Sequence, residues 1–351
     1  MKKSALRKFS VSLILALTLT VLPTPTAILA KDASQKEAAI LAKDASQKEA
    51  AILAKDASQK EAAPTSDFKV TLLGTGTPLL SMKRFGPATL VEAGGEKLLF
   101  DAGRGVALRM SQINVMPGEI TKLFLTHLHS DHTVGLPDVW LTGTLTTTGH
   151  RSTEFEVWGP AGTRTMMEDL EKAYKRDIDT RIEHGYIVPE GAKPMGHDIK
   201  PGIVYEKNGV QVEAFLVSHD IDPSFGYRIN YKGHSVVLSG DTTYNENVVQ
   251  HGKGADLLIH EVAVAKPEDL VNIPAFQKIL SVHTTPEQAG KVFSQTKPKL
   301  AVYSHVVLLG DMSEASAHLL YRTQSTYDGK VIVGEDLMTF EIGEEVNITE
   351  R

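Results

Sequence analysis

The stretch Thr126-His127-Leu128-His129-Ser130-Asp131-His132 decides how this chain is read. It follows Lys122-Leu123-Phe124-Leu125, an apolar run that reads as a buried strand. Side chains two apart on an extended chain share a side, so His127 and His129 point together as the backbone leaves its sheet. Asp131 and His132 are adjacent and diverge, which lets them serve a second ion close by. The chain has no cysteine. Disulfides, thiolate ligands and cysteine nucleophiles are therefore excluded, and a metal site must draw on His, Asp and Glu. Imidazole and carboxylate suit zinc, with manganese or iron as substitutes. The ordinary alternative is a satisfied polar loop, but so dense a run of metal-ligating side chains at a strand end argues against it.

Outward from this stretch the chain alternates strands and helices. Strands are expected at Lys69–Leu73, Ala88–Val91, Lys97–Phe100, Phe155–Trp158, Val210–Val217, Tyr227–Asn230, Ser235–Leu238, Leu257–Ile259 and Leu300–Tyr303. Helices are expected at Gly105–Ile113, Arg164–Tyr174 and Pro286–Gln295. With no sharp break in composition, residues 67–351 read as one α/β catalytic domain. The content of 42% hydrophobic and 23% charged residues is that of a soluble globular protein, and the net charge of −6 argues mildly against a nucleic-acid surface.

Further landmarks follow in order: Leu99-Phe100-Asp101-Ala102-Gly103, Val217-Ser218-His219, Leu238-Ser239-Gly240-Asp241, His260-Glu261, Val282-His283-Thr284-Thr285 and Ser304-His305. Together with His-x-His-x-Asp-His after a strand, this series resembles the metallo-β-lactamase superfamily, and within it the ribonuclease Z-like and zinc-dependent arylsulfatase branch. The resemblance runs from Lys69 to about Leu309. It implies an αββα four-layer sandwich with a two-zinc site. One zinc would be held by His127, His129 and His219, the other by Asp131, His132 and His305, with Asp241 bridging. Asp131 would orient the nucleophile or take its proton, His283 would stabilise the transition-state oxygen or protonate the leaving group, and Glu261 would fix the tautomer of His283. Asp101 would position a ligand imidazole. His150, His184, His197, His234, His251 and His318 read as ordinary histidines, His197 being the substitute ligand should His219 fail.

The resemblance implies hydrolysis of sulfate or phosphate esters by metal-activated hydroxide. tRNA-processing members of the branch insert a protruding arm between the positions matching His219 and Asp241. Here only twenty-one residues separate the two. With that short interval, the acidic balance and an N-terminal export signal, the first expectation is an arylsulfatase-like enzyme acting on a small anionic ester, with nucleic acid the less favoured partner. The alternatives are a ribonuclease Z-type phosphodiesterase and a non-catalytic metal- or ligand-binding protein. A homodimer is compatible with this reading.

Residues 1–30 read as a signal peptide, with a positive start at Met1–Lys8, an apolar core at Val11–Leu22 and breaks at Pro23 and Pro25. An uncleaved anchor would need a longer apolar run. The expectation is export to the periplasm or the medium, with no stable membrane span after cleavage. Residues 31–66 read as a linker. Within 27–62, three identical copies of a twelve-residue unit begin at Ala27, Ala39 and Ala51. At about 100° per residue, each copy turns its Ile-Leu patch by roughly 120°, so no continuous apolar stripe forms and a coiled coil is not expected.

Overall fold

The computed structural model describes residues 66–120, 122–310 and 315–349; the signal-peptide expectation and the repeats lie outside them. Two sheets form the centre. The first runs β15-β14-β1-β2-β3-β4-β5-β6, comprising β1 (Phe68–Gly74), β2 (Ala88–Ala93), β3 (Glu96–Phe100), β4 (Lys122–Phe124), β5 (Phe155–Gly159), β6 (Pro194–Asp198), β14 (Thr339–Ile342) and β15 (Val346–Thr349). The second runs β13-β12-β11-β10-β9-β8-β7, comprising β7 (Gly202–Lys207), β8 (Val210–Val217), β9 (Ser224–Tyr231), β10 (His234–Leu238), β11 (Leu257–Val264), β12 (Leu300–Leu308) and β13 (Val331–Val333). The helices are α1 (Val106–Gln112), α2 (Ser130–Thr133), α3 (Leu136–Thr142), α4 (Thr163–Glu183), α5 (Pro189–Ala192), α6 (Glu246–Gly252), α7 (Pro267–Asn272), α8 (Pro274–Leu280), α9 (Pro286–Thr296) and α10 (Ala315–Thr323).

The apolar runs explain the layers. Sheets covered on both faces need apolar residues at every position, and the period of two sends neighbours to opposite sides. Leu98, Phe100 and Phe124 face the second sheet, whereas Leu99, Leu123 and Leu125 face α1, α3 and α4. The second sheet repeats the pattern. Val236, Leu257, Ile259 and Val302 point inward, while Val237, Leu258, Ala301 and Tyr303 pack under α6, α9 and α10. Each Val, Leu, Ile or Phe among them, buried fully, contributes about 1.5–3 kcal/mol. Helices outside, sheets inside: the expected four-layer sandwich is what forms.

Element bounds differ from expectation where local physics competes with periodicity. The expected strand at Lys122–Thr126 stops at Phe124. The Thr126 N–H donates to Asp101 Oδ1 (2.8 Å) instead of to a ladder partner. The helix expected to end at Tyr174 continues to Glu183, although its last turns bury only Ile178. Exposed i,i+4 pairs support that part, Lys175 with Asp179 (2.9 Å) and Asp177 with Arg181 (2.8 Å). β6 escaped notice because Pro194 and Gly196 are poor strand residues, and α7 and α8 because each is short and opens on a proline. Among the described residues no helix is long and apolar enough to cross a membrane.

Two contacts stitch the sheets together directly beneath the decisive stretch. Tyr227 on β9 donates its hydroxyl to Leu125 O (2.6 Å), and Phe225 N–H donates to Thr126 O (2.9 Å). The backbone that launches His127 is thus fixed by the opposite sheet.

Candidate metal centre

Four of the candidate ligands come from one loop between β4 and α3. His127, His129, Asp131 and His132 all leave the first sheet within a short stretch of chain, and the single turn of α2 carries Asp131 and His132. The others arrive one at a time from the second sheet. His219 follows β8, Asp241 follows β10, His283 precedes α9 and His305 lies within β12. His305 requires a distortion. The register between β11 and β12 pairs His260 with Tyr303 and then Val262 with Val306, so Glu261 alone faces both Ser304 and His305. His305 takes φ 45 at this bulge. A non-glycine residue held left-handed is strained, and bulges beside active sites commonly re-aim a side chain.

The seven expected ligands converge. His127, His129 and His219 bring one ligand atom each within 4.8 Å of one another, and so do Asp131, His132 and His305. Asp241 Oδ2 lies between the two groups, at 3.2 Å from His305, 3.4 Å from His132 and 3.9 Å from both His127 and His219. Outer contacts orient the rings. His132 Nδ1 sits 2.8 Å from Asp101 Oδ2, and His219 Nδ1 2.9 Å from Val282 O. Both contacts place the ring proton outward and turn Nε2 toward the cluster. Asp101, itself at φ 59, also accepts from the Thr126 hydroxyl (2.9 Å).

This donor set fits metal ions. His132 Nε2 is fully buried without a well-formed hydrogen bond, and it faces the carboxylates of Asp241 (3.4 Å) and Asp131 (3.5 Å), an arrangement a shared cation would satisfy. Burial, reinforced by the neighbouring His132, holds His127 well below the usual histidine range, so it is neutral and ready to coordinate. Burial also works against ionisation of Asp241, yet His305 and His132 hold its carboxyl well below the usual range. For His132, burial is outweighed by Asp241 and Asp101, which favour its proton; a bound cation would displace that proton. The ligand set that zinc takes without thiolate is histidine and carboxylate, as here.

Beside this cluster sits a second buried pair. Glu261 Oε1 lies 3.0 Å from His283 Nδ1 and accepts from the backbone N–H of Thr284 (3.0 Å) and Thr242 (3.2 Å). Burial pushes the Glu261 carboxyl up, but three N–H donors on one oxygen favour the ionised form, and we place the shared proton on His283. Burial opposes charge on His283 as well, and Glu261 more than offsets it, raising its pKa to about 9. His260 is a core residue, its Nδ1 facing Glu261 O at 2.7 Å and its pKa lowered by burial to about 4.

His197 stacks on Trp158 with ring centroids 4.6 Å apart and belongs to none of the candidate metal groups. His234 pairs with Asp256 (3.3 Å) and His251 stacks on Phe215 (4.4 Å). Sequence reasoning missed two participants. Thr126, quoted but given no role, links Asp101 to the imidazole Nδ1 of His127 (3.0 Å). Asp220 stands 3.1 Å from His219 Nε2 and 3.6 Å from His129 Nε2; its one signal was adjacency to His219.

Residues 96–306 match the Beta-lactamase superfamily domain. The chain is 33% identical over 274 residues to Ribonuclease Z of Mycolicibacterium gilvum, covering 77% of this chain and 94% of that protein. It is 32% identical over 278 residues to Ribonuclease Z of Mycobacterium bovis, covering 78% and 98%. Among solved structures, the short form of human tRNase Z is similar at 25% identity and a TM-score of 0.57, covering 78% of this chain and 99% of that one. The metallo-beta-lactamase fold protein YhfI of Bacillus subtilis shares the fold at 16% identity and a TM-score of 0.61, covering 78% and 98%. With its two-sheet sandwich, its converging histidines and these relatives, the chain belongs to the metallo-β-lactamase superfamily, in its ribonuclease Z-like branch.

Proposed function

We propose that the chain is a dizinc hydrolase of phosphodiester bonds. The observation that carries this reading is the Glu261–His283 pair set against the cluster, with His283 near enough to His219 and Asp241 to share a ligand group with them. Zinc ions held by His127, His129 and His219 and by Asp131, His132 and His305, with Asp241 between, would supply a nucleophilic water at neutral pH and neutralise charge on the phosphoryl oxygens. Asp131 can accept a proton from that water. His283, held by Glu261 through Nδ1, presents Nε2 as the donor to the leaving oxygen. Asp101 and Val282 O keep the ligand rings from turning.

The relatives named Ribonuclease Z move phosphodiesters ahead of the sulfate esters favoured by the sequence reading, and return nucleic acid to the substrates worth testing. Sulfate monoesters stay as the second reading on one observation. β9 and β10 are joined by the two-residue turn Lys232-Gly233, both left-handed at φ 49 and φ 83, where an RNA-binding arm would have to emerge. A compact ester suits that edge better than tRNA.

The test is turnover by the metal-loaded protein of bis-p-nitrophenyl phosphate, p-nitrophenyl sulfate, a lactone and a tRNA precursor. The diester is expected to be hydrolysed faster than the sulfate. Faster sulfate hydrolysis would hand the reading to the arylsulfatase alternative. No turnover of any ester with zinc or manganese bound would leave a metal- or ligand-binding protein.

A further inference from the structure

The metal cluster forms only one wall of a cavity of about 530 Å³. Much of its remaining lining is apolar, and part of it comes from α8, which carries none of the candidate ligands. α7 and α8 pack Leu270, Phe276, Ile279 and Leu280 onto Ala263, Ala265, Val307 and Leu309 at the ends of β11 and β12. Of these side chains, Phe276, Ile279, Val307 and Leu309 also line the cavity, joined by Leu79 from the loop after β1. Leu79 is 68% exposed there, an apolar side chain left in solvent at the mouth. Among the lining residues Lys278 is the one lysine or arginine, and Asp220 offsets it.

An RNA strand passing through this mouth would need a row of cations for its phosphates. The lining supplies one. It supplies instead candidate ligands for cations beside apolar side chains, and with metal bound that is how a pocket recognises an amphiphilic anion: polar groups fix orientation and apolar surface provides affinity. Resting on the phosphodiesterase reading, we propose that this cavity takes an ester bearing a compact, apolar, phenyl-sized group, and that Phe276, Ile279 and Leu79 determine that specificity. The apolar group lies against α8 while the phosphoryl group faces His129, His219 and Asp241. Burial of a phenyl ring at about 25 cal/mol per Å² is enough to give at least a tenfold preference over a methyl group.

Phenylphosphonate and methylphosphonate carry the same anion and differ only in that group. Calorimetric titration of each into the zinc-loaded full chain is expected to show phenylphosphonate binding at least ten times more tightly. Phe276→Ser is expected to bring the two affinities to within about threefold. Leu79→Ser, on an exposed loop where folding is not at stake, is expected to reduce the ratio as well, and zinc content checks that each variant is loaded. Equal binding of the two phosphonates to the parent protein, or an unchanged ratio in both variants, would overturn the proposal. Because binding is read without turnover, absence of phosphodiester hydrolysis would sink the activity reading alone and leave the cavity's preference decided by the titration.

Discussion

The two halves of the centre are built in opposite ways. The first sheet delivers His127, His129, Asp131 and His132 from one six-residue stretch that needs only a strand end and a short helical turn. The second sheet delivers His219, Asp241, His283 and His305 from four separate places, and one of them stands on a bulge with a left-handed backbone. The first half is a local motif; the second exists only once the sheets have packed. Substitutions in the second half should therefore report assembly as well as chemistry, and those beneath the first half should report how well one loop is held.

The largest expected effects separate the two roles within the second half. Asp241 is the anion common to four imidazoles, so Asp241→Asn should leave at most one zinc bound per chain and lower kcat/KM by more than about 100-fold, beyond the 10–100-fold typical of an outer partner. His283→Ala should keep both metals and lose about 10²–10⁴ in turnover, the usual scale of a proton donor. Metal analysis and kinetics on the same preparations decide this. Loss of zinc from the His283 variant would make it a ligand; unchanged turnover would remove it from the mechanism.

A smaller effect tests the first half. Asp101 holds His132 through Nδ1 and the loop through Thr126. Asp101→Asn can still accept from Thr126 but no longer favours the same tautomer of His132. Zinc affinity should fall about 10–100-fold, read by competition with a chelator, while the fold persists. An unchanged affinity would mean that the loop geometry alone orients His132.

The same contrast explains what could be read from the sequence. The first half was legible because spacing in sequence is spacing in space over six residues, and the layers were legible because period-two burial on both faces writes continuous apolar runs. For the second half, each histidine alone looks ordinary, and the family resemblance, rather than periodicity, put them in order. The bulge at Glu261 and His305 left no composition signal, since it arises from a register shift between two strands. The apolar lining was missed because α8 is too short for a periodic pattern and its partners Leu79, Val307 and Leu309 come from other parts of the chain. The sulfate preference rested on the short interval, the export reading and the acidic balance, none of which touches the site itself, and the overall likeness to Ribonuclease Z weighs against it.

The smallest expected effect lies at the seam between the halves. Tyr227 is fully buried, and burial holds its phenol well above the usual range, so it is protonated and donates to Leu125 O at any physiological pH. Tyr227→Phe keeps the ring packed on Phe100 (5.3 Å) and Phe124 (5.8 Å) and removes only the donor. Leu125 O then lies buried without that partner, which costs about 1–3 kcal/mol. The denaturation midpoint should drop accordingly while zinc content stays at the parent value, because Phe225 N–H still holds Thr126 O. If stability falls and zinc affinity falls with it, the seam is part of the metal site; if stability is unchanged, the first half is positioned by its own strand and the opposite sheet contributes ligands without fixing the loop.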